Sequence, residues 1–267
     1  MKQLILCFLL MSGATALQAQ FFYYPFPPAK ADYALNEKAQ VKICYEYQIK
    51  ANEKLLSRRL EYGNEGSPTA LYQTGLHYNG DTNTVITGSY YKYKNGKLTE
   101  NNTVYHYQGD AGYTIAYTYD ASGRLLSKMI TGTDPAIYIY VYDKPGKIIR
   151  ANISLKTPDS NGNTKAIPDG RCEYSYDAKG RLVQETRYTK DDEKQFTYQW
   201  EYNSKGQIIK VTGTSAEDQV FYECLTEYGK NNLLSKRTEN IPDEETGIYM
   251  YEYCTNCRQS LMNNKSE

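Results

Sequence analysis

The most regular signal in this chain is a period of two. Tyr138, Tyr140 and Tyr142 stand on alternate positions, and so do Tyr198, Trp200 and Tyr202. Alternation places such residues on one face of a β-strand. Each aromatic run leads into a short polar segment closed by glycine. An aliphatic pair follows, as in Leu125-Leu126, Ile148-Ile149, Leu182-Val183 and Ile208-Ile209. Strand, turn and strand make a β-hairpin, so the pattern predicts an all-β chain of tandem hairpins.

The hairpins are copies of one another. Tyr117-Thr118-Tyr119-Asp120-Ala121-Ser122-Gly123-Arg124-Leu125 matches Tyr174-Ser175-Tyr176-Asp177-Ala178-Lys179-Gly180-Arg181-Leu182. Residues 140–148 and 200–208 keep the plan, and 91–98 keeps it with a turn one residue shorter. Residues 227–233 are a weaker copy, 251–258 replaces the turn, and Tyr45-Glu46-Tyr47 with Lys54-Leu55-Leu56 reads as a divergent first copy. The anchor tyrosines are Tyr93, Tyr119, Tyr142, Tyr176, Tyr202, Tyr228 and Tyr253. Their steps run from 23 (Tyr119 to Tyr142) to 34 (Tyr142 to Tyr176) residues, and the long step holds a polar insertion around 157–162.

The turn rule has a physical basis. Asp120 and Asp177 suit the first position of a type I turn, where a carboxylate accepts from nearby N–H groups. Gly123, Gly180 and Gly206 suit the last, where φ turns positive. Pro145 sits at the third position, where proline is disfavoured, so that turn is expected to differ from its siblings. One hairpin buries too little surface to be stable, whereas stacked repeats cover one another. About eight hairpins predict an extended, twisted antiparallel sheet on the order of 70 Å across, curling at most into a partial shell.

Composition sharpens this picture. Tyr occurs 29 times, against one Trp and 6 Phe, and tyrosine fits a pleated, half-wet surface. Lys+Arg and Asp+Glu both number 31, so there is no general pull toward nucleic acid or an anionic membrane. Lys2, the apolar run Leu4–Met11 and the small residues Ala14, Ala16 and Ala19 read as a signal peptide cleaved near Ala19. Cys7 lies inside the apolar run, which argues against a lipoprotein. Nothing later is long and apolar enough to cross a membrane as a helix. The expected layout is signal peptide 1–19, linker 20–40, hairpin repeats 41–258 and a polar tail 259–267. The expected destination is the periplasm, the cell surface or the medium.

The motif Tyr-x-Tyr-Asp-x-x-Gly-Arg-Leu, carried by Tyr117–Leu125 and Tyr174–Leu182, resembles the YD repeat of bacterial rearrangement-hotspot proteins, wall-associated proteins and teneurins. Looser copies extend the likeness from about Tyr91 to Arg258. The resemblance implies extended β-sheets that can wrap into hollow shells, some enclosing a toxin, and a link to carbohydrate binding. Only Gln259–Glu267 follow the repeats here, so toxin delivery is not expected and a small stand-alone YD-repeat protein is.

Few residues point to chemistry. Cys254 and Cys257 replace the turn residues of the last hairpin. A redox pair lacks the helix start it needs, and a zinc site lacks a second close pair. Turn ends lie within disulfide reach, so a structural disulfide is expected. Cys44, Cys172 and Cys224 are expected as buried small residues. Trp200, with Tyr198, Tyr202 and Tyr140, is the candidate stacking platform for sugar rings, against plain cross-strand packing. Lys97, Arg124, Lys147 and Arg181 follow the turns, either to meet an acidic glycan or to pair with the turn Asp and stack on tyrosine. His77 and His106 share no metal or triad spacing, and no nucleophile elbow or phosphate loop occurs. The sequence therefore predicts a non-enzymatic envelope protein, structural or protein-binding, with no cofactor and no metal. A carbohydrate-binding module is the alternative. The partner is an envelope protein or a surface glycan, with no nucleic acid and no membrane span.

Overall fold

The computed structural model describes residues 38–51, 53–64, 66–75, 81–106, 111–132, 135–158, 164–229 and 232–254. The expected signal peptide, most of the expected linker, Cys257 and the tail lie outside them. The described residues form β1 (Ile43–Lys50), β2 (Glu53–Tyr62), β3 (Pro68–Gly75), β4 (Asp81–Lys94), β5 (Lys97–Tyr105), β6 (Ala111–Tyr119), β7 (Leu125–Thr131) and β8 (Ala136–Tyr142). They continue with β9 (Ile148–Pro158), β10 (Thr164–Tyr176), β11 (Leu182–Thr189), β12 (Lys194–Tyr202), β13 (Ile208–Ser215), β14 (Val220–Tyr228), β15 (Leu234–Asn240) and β16 (Gly247–Cys254).

The sheet closes. Every strand pairs with its chain neighbours, and β16 pairs with β1 from Ile43↔Cys254 to Ile49↔Ile248. This corrects the expectation of an extended twisted sheet or partial shell. The cause lies at the anchor tyrosines. The ladder shifts register at Lys92/Tyr93, Thr118/Tyr119, Val141/Tyr142, Ser175/Tyr176, Glu201/Tyr202 and Glu227/Tyr228. Each shift is a bulge, and bulges bend strands and increase their twist. Repeated around the sheet, the bend returns the last strand to the first. Closure then removes two edges of unpaired backbone groups.

The turns follow the predicted rule. The Gly123 N–H donates to the Asp120 carbonyl at 2.9 Å, and the Asp120 N–H to the Arg124 carbonyl at 2.9 Å. Gly123 has φ +84°, and a Cβ there would also fall 1.6 Å from the Lys97 ammonium. Pro145, contrary to expectation, does not change its turn. The Gly146 N–H donates to Asp143 O at 3.1 Å and the Lys147 N–H to Asp143 Oδ1 at 2.7 Å. In sibling turns the third residue's N–H donates to the first side chain, Lys179 to Asp177 and Lys205 to Asn203. Proline forgoes only that bond. Turns at the opposite rim use the same closure with Asp in place of Gly. Asp192 (φ 66°) donates to Thr189 O, and Asp218 (φ 61°) to Ser215 O. Aspartate tolerates this left-handed region better than most residues.

Side chains alternate between the two sides of the wall. Inward positions carry the core, including Leu60, Leu98, Leu182, Leu234 and Val211. Outward positions near the strand ends that lead into the Asp-x-x-Gly turns are polar, as with Lys92, Thr118, Ser175, Glu201 and Glu227, and Gln199 lies further along β12, all exposed. Aliphatic side chains are also exposed along the wall, among them Leu126, Ile139, Val141, Ile149, Leu155, Ile167, Val220 and Leu225.

Candidate functional site

The interior is built from three repeat positions. The first is the leading tyrosine of each Tyr-x-Tyr pair. Tyr91, Tyr117, Tyr140, Tyr174, Trp200 and Tyr251 all face inward and are buried. These rings form one layer of the core.

The second position is the anchor tyrosine, which ties each hairpin to the one before. The hydroxyl of Tyr119 donates to Leu98 O at 2.8 Å, and that of Tyr142 to Leu125 O at 2.7 Å. Tyr176 reaches Ile148 O at 2.8 Å, Tyr202 reaches Leu182 O at 2.7 Å and Tyr228 reaches Ile208 O at 2.7 Å. The accepting carbonyl is always that of the first residue after the preceding turn. The basic residue of that turn covers the ring from above. Lys97 lies 5.2 Å from the Tyr119 centroid, Arg124 5.3 Å from Tyr142, Lys147 5.4 Å from Tyr176 and Arg181 4.5 Å from Tyr202. Arg124 and Arg181 also pair with their turn aspartates. Those aspartates are held below the usual carboxylate range, Asp120 first by the Ser122 hydroxyl and Asp177 first by the Arg181 N–H. Tyr142→Phe removes one such tie while keeping the ring. It is expected to cost about 1 kcal/mol, read as a fall in Tm of about 2–4 °C.

The third position lies three residues after the aliphatic that follows the turn. It holds Asn101, Lys128, Ala151, Glu185, Val211 and Arg237 in successive hairpins, all facing inward between the ring layers. This belt holds three of the interior charges, Lys128, Glu185 and Arg237. Sequence reading missed it because it varies where the turn repeats. Aligning the copies on Leu125, Leu182 and Leu234 would have displayed Lys128, Glu185 and Arg237 at one offset in an otherwise apolar strand face.

At the closing seam the belt forms a clasp. Glu46 of β1 is fully buried and receives a bond from Arg237 Nη2 at 3.1 Å and one from the Tyr251 hydroxyl at 2.8 Å, both on Oε2. Its Oε1 accepts from Ser57 at 3.1 Å and faces Arg58 Nε at 3.6 Å. Arg237 also pairs with Glu239 at 2.9 Å and lies over the Tyr249 ring at 4.1 Å. Four strands, β1, β2, β15 and β16, are joined by this one carboxylate. Across the barrel, Glu185 accepts from the Cys172 thiol at 3.2 Å. Arg187 pairs with Asp169 and donates to Gln195 at 3.2 Å. Lys128 sits 3.9 Å from the Tyr138 centroid. Burial lowers the Lys128 pKa, Arg187 adds to the effect, and Glu185 and Cys172 oppose it. Lys128 keeps accessible surface although protein surrounds it, which puts that surface on the interior side.

A family model for the teneurin YD-shell matches residues 34–224. The chain belongs to the YD-shell family. No curated protein matches it. Among solved structures, a porin-like protein from Bacteroides uniformis ATCC 8492 aligns at 10% identity over 80% of this chain and 97% of that one, with TM-score 0.34. The complex TcdB2-TccC3 aligns at 13% identity over 77% of this chain, with TM-score 0.34. This YD shell spans 13% of the length of that chain. A DUF1329 family protein from Desulfovibrio piger ATCC 29098 aligns at 8% identity over 86% of this chain and 93% of that one, with TM-score 0.27.

The sequence-selected residues of this YD shell are scattered by role. Trp200 and Tyr140 are core rings at 3% and 6% exposure, so neither presents a face to a glycan outside the barrel. Tyr202 is one of the inter-hairpin ties. Tyr198 lies among Phe196, Trp200, Phe221 and Tyr222, with centroids 5.6–6.4 Å away. Gly213 makes room for this aromatic cluster, since a Cβ there would come within 2.9 Å of Phe221. Gly206 closes the turn that starts at Asn203. Cys44, Cys172 and Cys224 are buried free thiols, their pKa values pushed up by burial. Cys254 ends β16, and its expected bond to Cys257 lies outside the described residues.

Proposed function

We propose that this chain is a small exported YD shell that serves the cell envelope as a non-enzymatic structural or protein-interaction element. One observation carries the reading: the fold itself uses the repeat chemistry. Leading rings fill the core, anchor hydroxyls tie hairpin to hairpin, and turn cations cover the ties. The outer wall then remains as the working surface. Its outward mid-strand positions include Asn152, Gln199 and Glu223, whereas a bilayer-crossing barrel needs an apolar exterior, so we read the wall as facing water. The alternative, carbohydrate binding, would require a sugar to enter the barrel to reach Trp200.

Photo-crosslinkers placed at outward positions such as Gln199 and Thr118 test this in cells. The expected result is one discrete crosslinked envelope protein, with no signal for purified protein on a broad glycan array. Array binding that disappears in a folded Trp200→Phe variant would overturn the reading in favour of a carbohydrate module.

A further inference from the structure

Among the described residues, two arcs on opposite rims of the barrel carry opposite charge, which a formal net charge of zero conceals. The turns at 94–97, 120–124, 143–147, 177–181 and 203–207 share one rim. They hold eight cationic side chains and three aspartates. Lys94, Lys144 and Lys179 are exposed there and make no ion pair among the described residues. The loops at 189–193, 215–219 and 240–246 share the other rim. They hold eight carboxylates and one lysine. Glu193, Glu217, Asp243, Glu244 and Glu245 are exposed and likewise without an ion pair among the described residues.

We infer that the basic turn rim is a docking surface for the acidic loop rim of a second copy of this chain. Charge complementarity carries the argument. The occupant matches in sign, and it matches in outline because both rims are ends of the same closed wall. Overall neutrality leaves no net repulsion between copies. The match is also local. The three acidic loops are consecutive along the wall, linking β11 to β12, β13 to β14 and β15 to β16. They form a continuous arc, as do the five basic turns. Contact of one rim with the other is heterologous, so a dimer keeps one free rim of each sign and grows head to tail.

Sedimentation velocity on the signal-free chain tests this. Association is expected at about 20 mM NaCl and should weaken by about 100-fold at about 500 mM, where screening reaches a few ångströms. A triple reversal K94E/K144E/K179E should be monomeric, and so should E193K/E217K/E244K. An equimolar mixture of the two should associate again at low salt. These residues are exposed turn positions, and far-UV circular dichroism verifies that each variant is folded. A wild-type chain that stays monomeric at low salt overturns the inference. So does self-association that persists in both reversals. Retention on heparin that K94E/K144E/K179E abolishes, from a monomeric wild type, would assign the basic rim to a polyanion instead.

Discussion

Replacing Glu46 by alanine is expected to cost the barrel about 3–5 kcal/mol, the range for removing one partner of a buried ion pair. The loss has three parts. Arg237, buried at 2% exposure, loses one of its two carboxylates. The Tyr251 and Ser57 hydroxyls lose their acceptor. The β1–β16 seam loses the side chain that bridges it. Glu46→Gln keeps acceptor capacity without the charge, so a smaller loss is expected. Urea unfolding of both variants measures the order. A double change of Glu46 and Arg237 to apolar residues should cost less than the sum of the single changes, because the fully buried pair is then removed whole and only the part-exposed Glu239 and Arg58 lose a partner. Losses under about 1 kcal/mol in Glu46→Ala would show that backbone pairing alone holds the seam.

The second large effect is expected in alkali. Burial pushes the pKa of Tyr138 and Tyr249 up to about 12, and raises those of Tyr140, Tyr222 and Tyr251 further. A neutral phenol with a raised folded pKa contributes its full stability below the unfolded value near 10. That contribution is lost as pH climbs from there through the folded value. Each tyrosine kept neutral removes up to about 1.4 kcal/mol per pH unit in this window. Five removing on the order of 7 kcal/mol per unit exhaust a stability of about 5–15 kcal/mol. Tyrosinate absorbance and the β-sheet dichroism should therefore change together, in one steep step between pH 10 and 12. Gradual phenol titration near pH 10 with the sheet intact would contradict this burial.

The hairpins were legible because their determinants are local. Asp120 to Gly123 and Asp177 to Gly180 specify their own turns, and alternating rings specify the strand before each. Even Pro145 was misjudged only in its consequence, since the turn bonds come from residues on either side of it. Closure was not legible. It arises from a small bend at each anchor tyrosine, and no single copy reveals how many bends complete a circuit. The interior belt was hidden for another reason. Asn101, Lys128, Ala151, Glu185, Val211 and Arg237 have nothing in common but their place. Trp200 drew attention as an exception, yet it fills the position that tyrosine fills in its neighbours. Each acidic loop taken alone is an ordinary exposed connector. Their shared rim emerges only from antiparallel pairing, which sends alternate turns to opposite ends.

The Glu46–Arg237 clasp makes the barrel count its own repeats. In an open array a duplicated unit adds length and leaves the other interfaces as they were. Here an added or missing hairpin changes the curvature of the whole wall, because β16 must still return to β1 for Glu46 and Arg237 to meet. Duplication and loss, the usual routes by which tandem sequences drift in number, are thereby penalised at a residue far from where they occur. The bond that holds the two ends together thus makes a change in copy number felt at the seam.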